Sequence, residues 1–557
     1  MATSPLVLGP MLRHVDETSA SVWVETRAGC RVSVSAGGRS WQARTFVAHG
    51  HHYALVEVDG LEPGSTQPYE VEIDGASVWP EPDSAYPPSA ISTLMPRRPL
   101  RMAFGSCRTS VAHDRSGNRT HGVDSLRAFA LAVAAGRDIR PDLLLFLGDQ
   151  VYADSTTSQM QEFIRSRRDI HEGPGTELKD FEEYAHLYQL AWSDEANRWL
   201  LSCVPTAMIV DDHDIRDDWN ASLDWKRRME ATSWWQGRIV AGLASYWVYQ
   251  HLGNLSPAER AADPLWRRIG EYDGAEELDL TDPLDEFADR ADKEPASHRW
   301  SYCRDFGDVR LIVVDSRAAR DLTPSARGLL DAQELAWFDD QMHGGFRHVL
   351  VACSLPFLLP IGLHHVEAWD EAIAQGARGR PAAWLGERLR QAVDLEHWAA
   401  FQNSFQAVAR MAMEVADGER GPSPLTVTFL SGDVHFSYLA EVQRDGGARI
   451  LQAVCSPVRN PLPRFIRWFA VATSYGVATP LGAAAARSVK VPDPPFRWNT
   501  VKGPWFDNNL ALLQDGPDGL TMTWHTGVVH GGDELHPRLE EVASVTVPVK
   551  RDAELSA

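Results

Sequence analysis

The sequence predicts a mixed α/β protein preceded by a small all-β domain, because two different patterns follow one another along its 557 residues. Before about residue 95, short alternating runs such as SASVWVET and YALVEVDG are separated by turn residues, as is typical of a β-sandwich. From about Arg101 onward, nearly continuous apolar runs such as DLLLFLGD and VRLIVVDS alternate with longer helical stretches. These runs indicate buried sheets covered by helices, and a chain of this length is expected to form more than one domain.

The chain divides into two predicted domains. Residues 1–95 form the β-sandwich, whose segment VDGLEPGSTQPYEVEIDG resembles the end of a fibronectin type III-like domain. The proline-rich PEPDSAYPPSA that follows this segment is expected to be a linker or a lacing segment. Residues 96–557 form the larger domain, in which helical inserts at about 225–300 and 360–420 are expected to shape a pocket. Near the end, LALLQDGPDGLTMTWHTG and SVTVPV predict hairpin strands.

The composition excludes several classes of protein. A net charge of −22 argues against the extended basic surface that nucleic-acid backbones require, so no nucleic-acid surface is expected. The six cysteines are scattered without a CxxC pair, which argues against a disulfide framework and against a zinc ribbon. The first residues, MATSPLVLGPMLRHVDETSASVW, lack the basic and apolar regions of an export signal, so a cytoplasmic location is expected.

One apolar stretch bears on membrane contact. Residues 469–486, within a longer segment 461–490, carry no charge, but Pro480, two glycines and several hydroxyls make them a weak membrane span. A buried helical pair or an active-site lid is the favoured interpretation. Contact with a membrane surface or a lipid-like substrate is the alternative.

Polar residues of metal-binding type follow the ends of five predicted strands. They are Cys107 in FGSCR, Asp149, Tyr152 and Asp154 in FLGDQVYAD, Asp211, Asp212 and His213 in IVDDHD, Ser354 in ACS, and Asp433 and His435 in FLSGDVHF. Because sites in α/β proteins form outside the carboxyl ends of strands, these loops are expected to converge. Each loop alone has an ordinary explanation as a turn, a helix cap or a packed cysteine, but five together are hard to explain in that way.

The acids after the run TAMIV need a positive partner or exposure to water. Two carboxylates 4 Å apart repel by about 4 kcal/mol at an effective dielectric of about 20. Cations among Asp211, Asp212 and the other acids would turn this repulsion into metal affinity. Asp217 and Asp218, further along the same loop, are expected to cap or decorate the following helix.

The motifs SC, GDxxYAD, DDH and SGDVH together resemble the PhoD-like alkaline phosphatase branch of the calcineurin-like metallophosphoesterases, over about residues 100–530. The resemblance implies a four-layer α/β/β/α core behind the N-terminal β-sandwich. It implies that Asp149 bridges two metal positions, and that Tyr152, His435 and Cys107 bind an iron(III) ion. Phenolate, thiolate and carboxylate all donate strongly to an ion of high charge.

The second metal position departs from the wider superfamily. Asp212 stands where many relatives have asparagine, Asp433 stands where they have histidine, and Ser354 falls near another position that is often histidine. An oxygen-rich site favours calcium, magnesium or manganese over zinc. The resemblance implies calcium, as one or two ions, with magnesium, manganese or zinc as alternatives. Asp211 and Ser354 are expected to contact the ligands rather than the metal.

The resemblance implies a metal-dependent phosphoester hydrolase acting on a small substrate, with a metal-activated water as nucleophile. His213 would contact a phosphate oxygen or protonate the leaving group. Arg108 would add a phosphate contact, with a surface salt bridge as the alternative. The choice between monoester and diester substrates stays open, and so does the oligomeric state. Two other functions also stay open: a non-catalytic metal-containing binding protein, and a metal oxidoreductase that uses Tyr152 and Cys107. Members of the family are often exported, whereas no export signal is recognised here.

Overall fold

The computed structural model describes residues 4–96, 98–324, 326–462 and 478–548. The strands are β1 (Leu6–Val15), β2 (Ala20–Thr26), β3 (Arg31–Ala36), β4 (Arg39–Arg44), β5 (Phe46–Ala48), β6 (His51–Val58), β7 (Thr66–Ile73), β8 (Ala76–Trp79), β9 (Ala90–Ser92), β10 (Arg101–Gly105), β11 (Leu143–Leu147), β12 (Thr206–Ile209), β13 (Leu278–Asp279), β14 (Tyr302–Phe306), β15 (Val309–Val313), β16 (His348–Ala352), β17 (Thr426–Ser431), β18 (Ser437–Gln443), β19 (Arg449–Val454), β20 (Arg497–Trp505), β21 (Leu510–Gly516), β22 (Gly519–Val528) and β23 (Arg538–Pro548).

The helices complete a mixed α/β fold, which confirms the predicted class. They are α1 (Arg115–His121), α2 (Ser125–Ala134), α3 (Ser158–Arg167), α4 (Phe181–Trp192), α5 (Glu195–Cys203), α6 (Leu223–Glu230), α7 (Trp235–Tyr246), α8 (Leu252–Asn254), α9 (Pro257–Ala262), α10 (Pro264–Glu271), α11 (Thr281–Lys293), α12 (Ala332–Gln341), α13 (Ile361–Ala374), α14 (Arg380–Ala392), α15 (Gln402–Asp417) and α16 (Ala478–Ser488). Helices therefore fill both stretches that were predicted as helical inserts.

The N-terminal region is rich in β-structure, as the alternating runs predict. One sheet has the order β1-β2-β6-β5-β13, and the other has the order β4-β3-β7-β8 with β9 paired to β7. Valines from both sheets, such as Val22 and Val56 from the first and Val34 and Val71 from the second, share one buried cluster. The likeness to fibronectin type III domains stays a prediction.

A strand from the larger part of the chain completes the first of these sheets. Strand β13, at residues 278–279, pairs in parallel with β5. Beside it, the Arg44 guanidinium donates hydrogen bonds to the carbonyls of Gly274, Ala275 and Glu276. An exposed sheet edge exposes unpaired N–H and C=O groups, so this pairing covers an edge that the N-terminal region would otherwise expose. The alternation pattern of the N-terminal region gives no sign of it.

Two larger sheets form the centre of the molecule. Their orders are β12-β11-β10-β21-β22-β23 and β14-β15-β16-β17-β19-β18-β20. Every residue of β11, LLLFL, is buried, as expected for a strand that is covered on both faces. Leu145 and Phe104 from the first sheet pack with Leu350 and Leu430 from the second, so the two sheets share a core.

Helices cover the outer faces of the two central sheets. Phe129 of α2 belongs to the same buried cluster as Phe146 of β11, and Phe405 of α15 belongs to the same cluster as Phe429 of β17. Within the sheets, β10, β11 and β12 run parallel, and so do β15, β16, β17 and β19. The loops that follow these strands approach one another and carry the polar residues described next.

Half of the apolar segment 461–490, residues 463–477, lies outside the described part of the chain. Its described part includes α16, which packs against α13. In the described ranges, we find no helix with the length and apolar character that crossing a bilayer requires.

Candidate metal centre

Four of the predicted metal ligands have an unusual backbone conformation. Cys107, Asp149, Asp433 and His435 all have φ between 51° and 62°, in the left-handed region that residues with a Cβ rarely adopt. Such conformations cost roughly 1–3 kcal/mol each and persist where the surrounding structure enforces them, often at functional sites. The strain is concentrated at the strand ends where the sequence predicts chemistry.

The first group of converging side chains contains Cys107, Asp149 and His435, whose candidate ligand atoms lie within 4.8 Å of one another. The Cys107 thiol and the Tyr152 hydroxyl both donate to Asp149 Oδ2, each at 3.3 Å. Ser456 Oγ lies 3.3 Å from the Cys107 sulfur and holds it in place. Cys107, Tyr152 and His435, which were predicted to bind iron(III), therefore lie together with Asp149, which was predicted to bridge the two metal positions.

Burial controls the protonation of this group. It raises the pKa values of the Cys107 thiol and the Tyr152 phenol well above their ordinary values, and the nearby Asp149 adds to the effect. Burial lowers the pKa of His435 to about 4, so its imidazole is neutral. Neutral imidazole is the form that binds metals, whereas the thiol and the phenol need a cation beside them to ionise.

A second group consists of Asp149, Asp212 and His213, again with candidate ligand atoms within 4.8 Å. Asp149 is therefore shared between the first two groups. Its Oδ1 is fully buried, and no described group donates a hydrogen bond to it. A buried carboxylate oxygen without a donor is costly, and a cation at this point would remove that cost. The donor set of both groups thus fits metal ions.

His213 is oriented by the carboxylate of Asp154, a residue for which the sequence predicted no role. Its Nδ1 lies 2.9 Å from one oxygen of Asp154 and 3.0 Å from the other. Although burial opposes it, Asp154 and Asp212 raise the pKa of His213 well above 6.5. The Tyr152 ring lies against the imidazole, with centroids 4.8 Å apart. His213 is therefore a fixed and protonated side chain beside Asp149.

The third group, Asp211, Asp212 and Asp433, surrounds a guanidinium. Arg317 Nε lies 2.5 Å from Asp211 Oδ1, and Arg317 Nη2 lies 3.1 Å from Asp212 Oδ1. Although burial opposes it, these two carboxylates raise the pKa of Arg317 well above its ordinary value. Asp211 was expected to contact the ligands rather than a metal, and here it contacts Arg317.

Asp214 joins the loops after β11 and β12. Its carboxylate accepts the N–H groups of Asp149 at 3.0 Å, Gln150 at 3.2 Å and Val151 at 3.3 Å from the first loop. It also accepts the N–H of Asp211 at 2.9 Å from the second loop. The side chain is buried, and it fixes the positions of Asp149 and Asp211 relative to each other.

Two residues, Arg108 and Ser354, have other contacts than the sequence suggests. The Arg108 guanidinium donates to Asp124 Oδ2 from Nε at 3.0 Å and from Nη2 at 2.8 Å, and to the Ala191 carbonyl from Nη1 at 2.7 Å. Arg108 and Asp124 form a buried ion pair, and Asp124 also caps α2. None of these hydrogen bonds of Arg108 goes to a residue of the three groups. The Ser354 hydroxyl pairs with that of Ser316 at 2.8 Å, beneath the loop that carries Asp433.

Asp217 and Asp218 were expected to cap or decorate the following helix, and neither of them caps it. Helix α6 is capped by Ser222, whose hydroxyl accepts the Trp225 N–H at 3.1 Å. Instead, the Asp218 N–H donates to Asp212 Oδ2 at 3.1 Å. Burial, with Glu396 and other nearby acids, raises the pKa of Asp218 to about 9. Acids of the loop after β12 therefore extend from Asp211 to Asp218, and the Asp218 main chain contacts the centre at Asp212.

Residues from other loops also belong to the centre, although the sequence was not used to predict them. Arg317 follows β15 in VVDSR, and Glu396 and His397 follow α14 in DLEHW. His397 Nε2 donates to Asp433 Oδ2 at 2.8 Å, and this contact helps to hold the pKa of Asp433 below its usual range, although burial opposes it. The position of Arg317 directly after a parallel strand was a usable signal. Glu396 and His397 follow a helix and not a strand, so they could not be predicted from their position at a strand end.

Two central sheets with Cys, Tyr, His and carboxylate side chains grouped at their strand ends fit a metallophosphoesterase. The sequence model of the PhoD-like phosphatase family matches residues 118–464, well over half of the chain. The chain therefore belongs to the PhoD-like phosphatase family, a family of phosphoric-ester hydrolases, as the motifs suggest. Residues 3–91 match the model of a domain of unknown function, DUF7800.

Comparison with solved structures agrees on the fold. One titled "Structure of PhoD" matches with a TM-score of 0.59 and 13% identity, over 98% of this chain and 90% of that chain. At this identity the match shows likeness of fold alone. A purple acid phosphatase from yellow lupin (Lupinus luteus) seeds matches with a TM-score of 0.49 and 9% identity, over 96% of this chain and 74% of that chain. None of the curated proteins matches the chain significantly.

Proposed function

We propose that the protein hydrolyses small phosphoesters at a centre of two metal positions joined by Asp149. The observation that carries this proposal is the sharing of one buried carboxylate between the Cys107–His435 group and the Asp212–His213 group. Two metal positions joined by one carboxylate suit in-line displacement at phosphorus, because attacking and leaving oxygens both gain charge there.

We assign iron(III) to the position of Cys107, Tyr152 and His435, and calcium to the position of Asp149 and Asp212, beside the protonated His213. Thiolate and phenolate favour an ion of high charge, and carboxylates favour calcium, with magnesium, manganese or zinc as alternatives. When bound, the ions would supply an activated water and neutralise phosphate oxygens. Ser456 keeps the Cys107 sulfur oriented, and Asp214 keeps Asp149 in place.

His213 supplies the proton in this proposal. The Asp154 carboxylate accepts a hydrogen bond from Nδ1, so Nε2 is the nitrogen left to donate elsewhere, and the side chain is 23% exposed. A protonated imidazole in this position can contact a phosphate oxygen or protonate the leaving oxygen. Asp154 is a positioning residue, because its carboxylate acts through His213.

The domain assignment is also a proposal. We place the boundary at residue 95, with a fibronectin type III-like sandwich before it and the catalytic domain over 96–557. Support comes from the gap between β9, which ends at Ser92, and β10, which begins at Arg101. The pairing of β13 with β5 means that the two parts are connected by more than this linker.

The test is hydrolysis of 4-nitrophenyl phosphate and of bis(4-nitrophenyl) phosphate by wild-type protein and by His213→Gln. The variant should lose turnover and keep its metal, whereas His536→Gln, which changes an exposed histidine, should match the wild type. Unchanged turnover in His213→Gln would contradict the role of this residue. A metal-loaded wild type that hydrolyses neither substrate would favour the binding protein over the hydrolase.

A further inference from the structure

Arg317 enters the candidate metal centre from a tightly fixed turn. The turn follows β15 and is held by the Asp315 carboxylate, which accepts the N–H groups of Arg317 at 2.8 Å and of Ala318 and Ala319 at 3.0 Å. The Arg317 side chain is 1% exposed, so it is not a surface residue that happens to lie near acids. The fold builds a cation into this position.

The guanidinium lies among the three carboxylates of the third group. Besides its contacts with Asp211 and Asp212, its Nη2 lies 3.7 Å from Asp433 Oδ1, and its Nη1 donates to Glu396. The planar fork of arginine carries a permanent charge and several donors, so one side chain can serve several carboxylates at once. A calcium ion placed among these three aspartates would need the same space.

Further positive groups hold the same acids from the other side. Arg320 Nη1 lies 3.1 Å from Glu396 Oε2, and His397 Nε2 lies 2.8 Å from Asp433 Oδ2. Each carboxylate of the third group therefore already has a cationic neighbour supplied by the chain. Asp149 of the first two groups has no arginine ion pair among the described residues. Its Oδ1 lacks a donor, as do Asp211 Oδ2 and Asp212 Oδ1, but Arg317 Nη2 lies 3.1 Å from Asp212 Oδ1.

We propose that Arg317 is a built-in cation that takes the place of an additional calcium ion, so that the centre binds two metal ions and not three. The inference rests on the proposed metal centre and sharpens its composition, because it reduces one or two calcium ions to one. Arg317 acts as a positioning residue, since it holds Asp212 in place for the ion that Asp212 shares with Asp149.

The experiment counts metal ions per chain by elemental analysis after equilibration with iron and excess Ca²⁺ and removal of free metal. The wild type should hold about two ions. Arg317→Met, which removes the charge, should hold about three or show a Ca²⁺-dependent rise in Tm that the wild type lacks. Arg317→Lys should behave like the wild type. Arg310→Met is the control, because Arg310 pairs with the half-exposed Asp305 outside the centre.

Two results would overturn the inference. One is a wild type that itself holds three ions, which needs no variant and so does not depend on whether Arg317→Met folds. The other is a folded Arg317→Met with the same ion count and the same Ca²⁺ response as the wild type. Failure of the proposed function looks different, because it would leave a two-ion wild type with no phosphoesterase activity.

Discussion

Removal of the Asp214 carboxylate should disturb the centre strongly, although we assign this residue no metal. In Asp214→Ala, four buried main-chain N–H groups, those of Asp149, Gln150, Val151 and Asp211, lose their acceptor. A buried donor without a partner costs about 1–3 kcal/mol, so at the lower end the loss is about 4 kcal/mol of unfolding free energy. That is a large part of the roughly 5–15 kcal/mol available to a folded protein.

The same substitution should loosen the centre. The two loops that carry Asp149 and Asp211 are tied to each other through this carboxylate, so their side chains should no longer hold fixed relative positions. We expect a folded Asp214→Ala to bind less metal and to hydrolyse phosphoesters more slowly. Asp214→Asn keeps one acceptor oxygen and should cost about half as much unfolding free energy.

Urea unfolding monitored by circular dichroism, with elemental analysis of the same samples, is the assay. Asp305→Ala is the control, because Asp305 is 46% exposed and its ion pair with Arg310 should contribute less than about 1 kcal/mol. An Asp214→Ala protein within 1 kcal/mol of the wild type and with its full metal content would refute this explanation of how the loops are joined.

Three further predictions concern single residues and pH. His213→Gln should lower kcat by about 10²–10⁴. Because Asp154 and Asp212 raise the folded pKa of His213 above its unfolded value, the stabilisation by the charged imidazole is complete below about pH 6.5 and is lost as pH rises through the folded pKa. The unfolding free energies of wild type and His213→Gln should therefore converge at alkaline pH, and a constant difference would contradict this. Arg108→Met should lower the unfolding free energy by about 3–5 kcal/mol, because it leaves Asp124 buried without its partner. The kcat of the folded fraction should stay unchanged, and a selective loss of kcat would show that Arg108 acts in the metal centre. Because burial raises the pKa values of Cys107 and Tyr152, metal binding to the apoprotein should release protons, and the metal affinity should rise with pH. Calorimetry in buffers of different ionisation enthalpy can measure the proton release. Metal binding without proton release would contradict Cys107 and Tyr152 as ligands.

Local patterns predicted much of the fold and of the centre, because both depend on short segments. Apolar runs such as LLLFL show burial on both faces, and residues directly after such strands converge whichever sheet holds them. This rule placed Cys107, Asp149 and His435 together. It could also have found Arg317, which follows β15 in the same way.

The rest depends on contacts between distant segments that no local pattern reveals. Strand β13 joins a sheet more than 200 residues earlier in the chain, and two residues of alternating sequence carry no signal. His397 contacts Asp433 from the helical insert at about 360–420, for which the sequence predicts only that it shapes a pocket. Arg108 pairs with Asp124, which caps a helix. The sequence around Asp124 does not show that Arg108 is its partner.

The measurement that tests the central claim most directly is the metal content of Asp149→Asn beside that of the wild type, after identical loading with iron and Ca²⁺. Asp149 is the one carboxylate common to both metal groups, so the variant should lose ions from both positions, while the wild type retains about one iron and one calcium per chain. An Asp149→Asn protein that keeps both ions would contradict the shared carboxylate and, with it, the two-position centre.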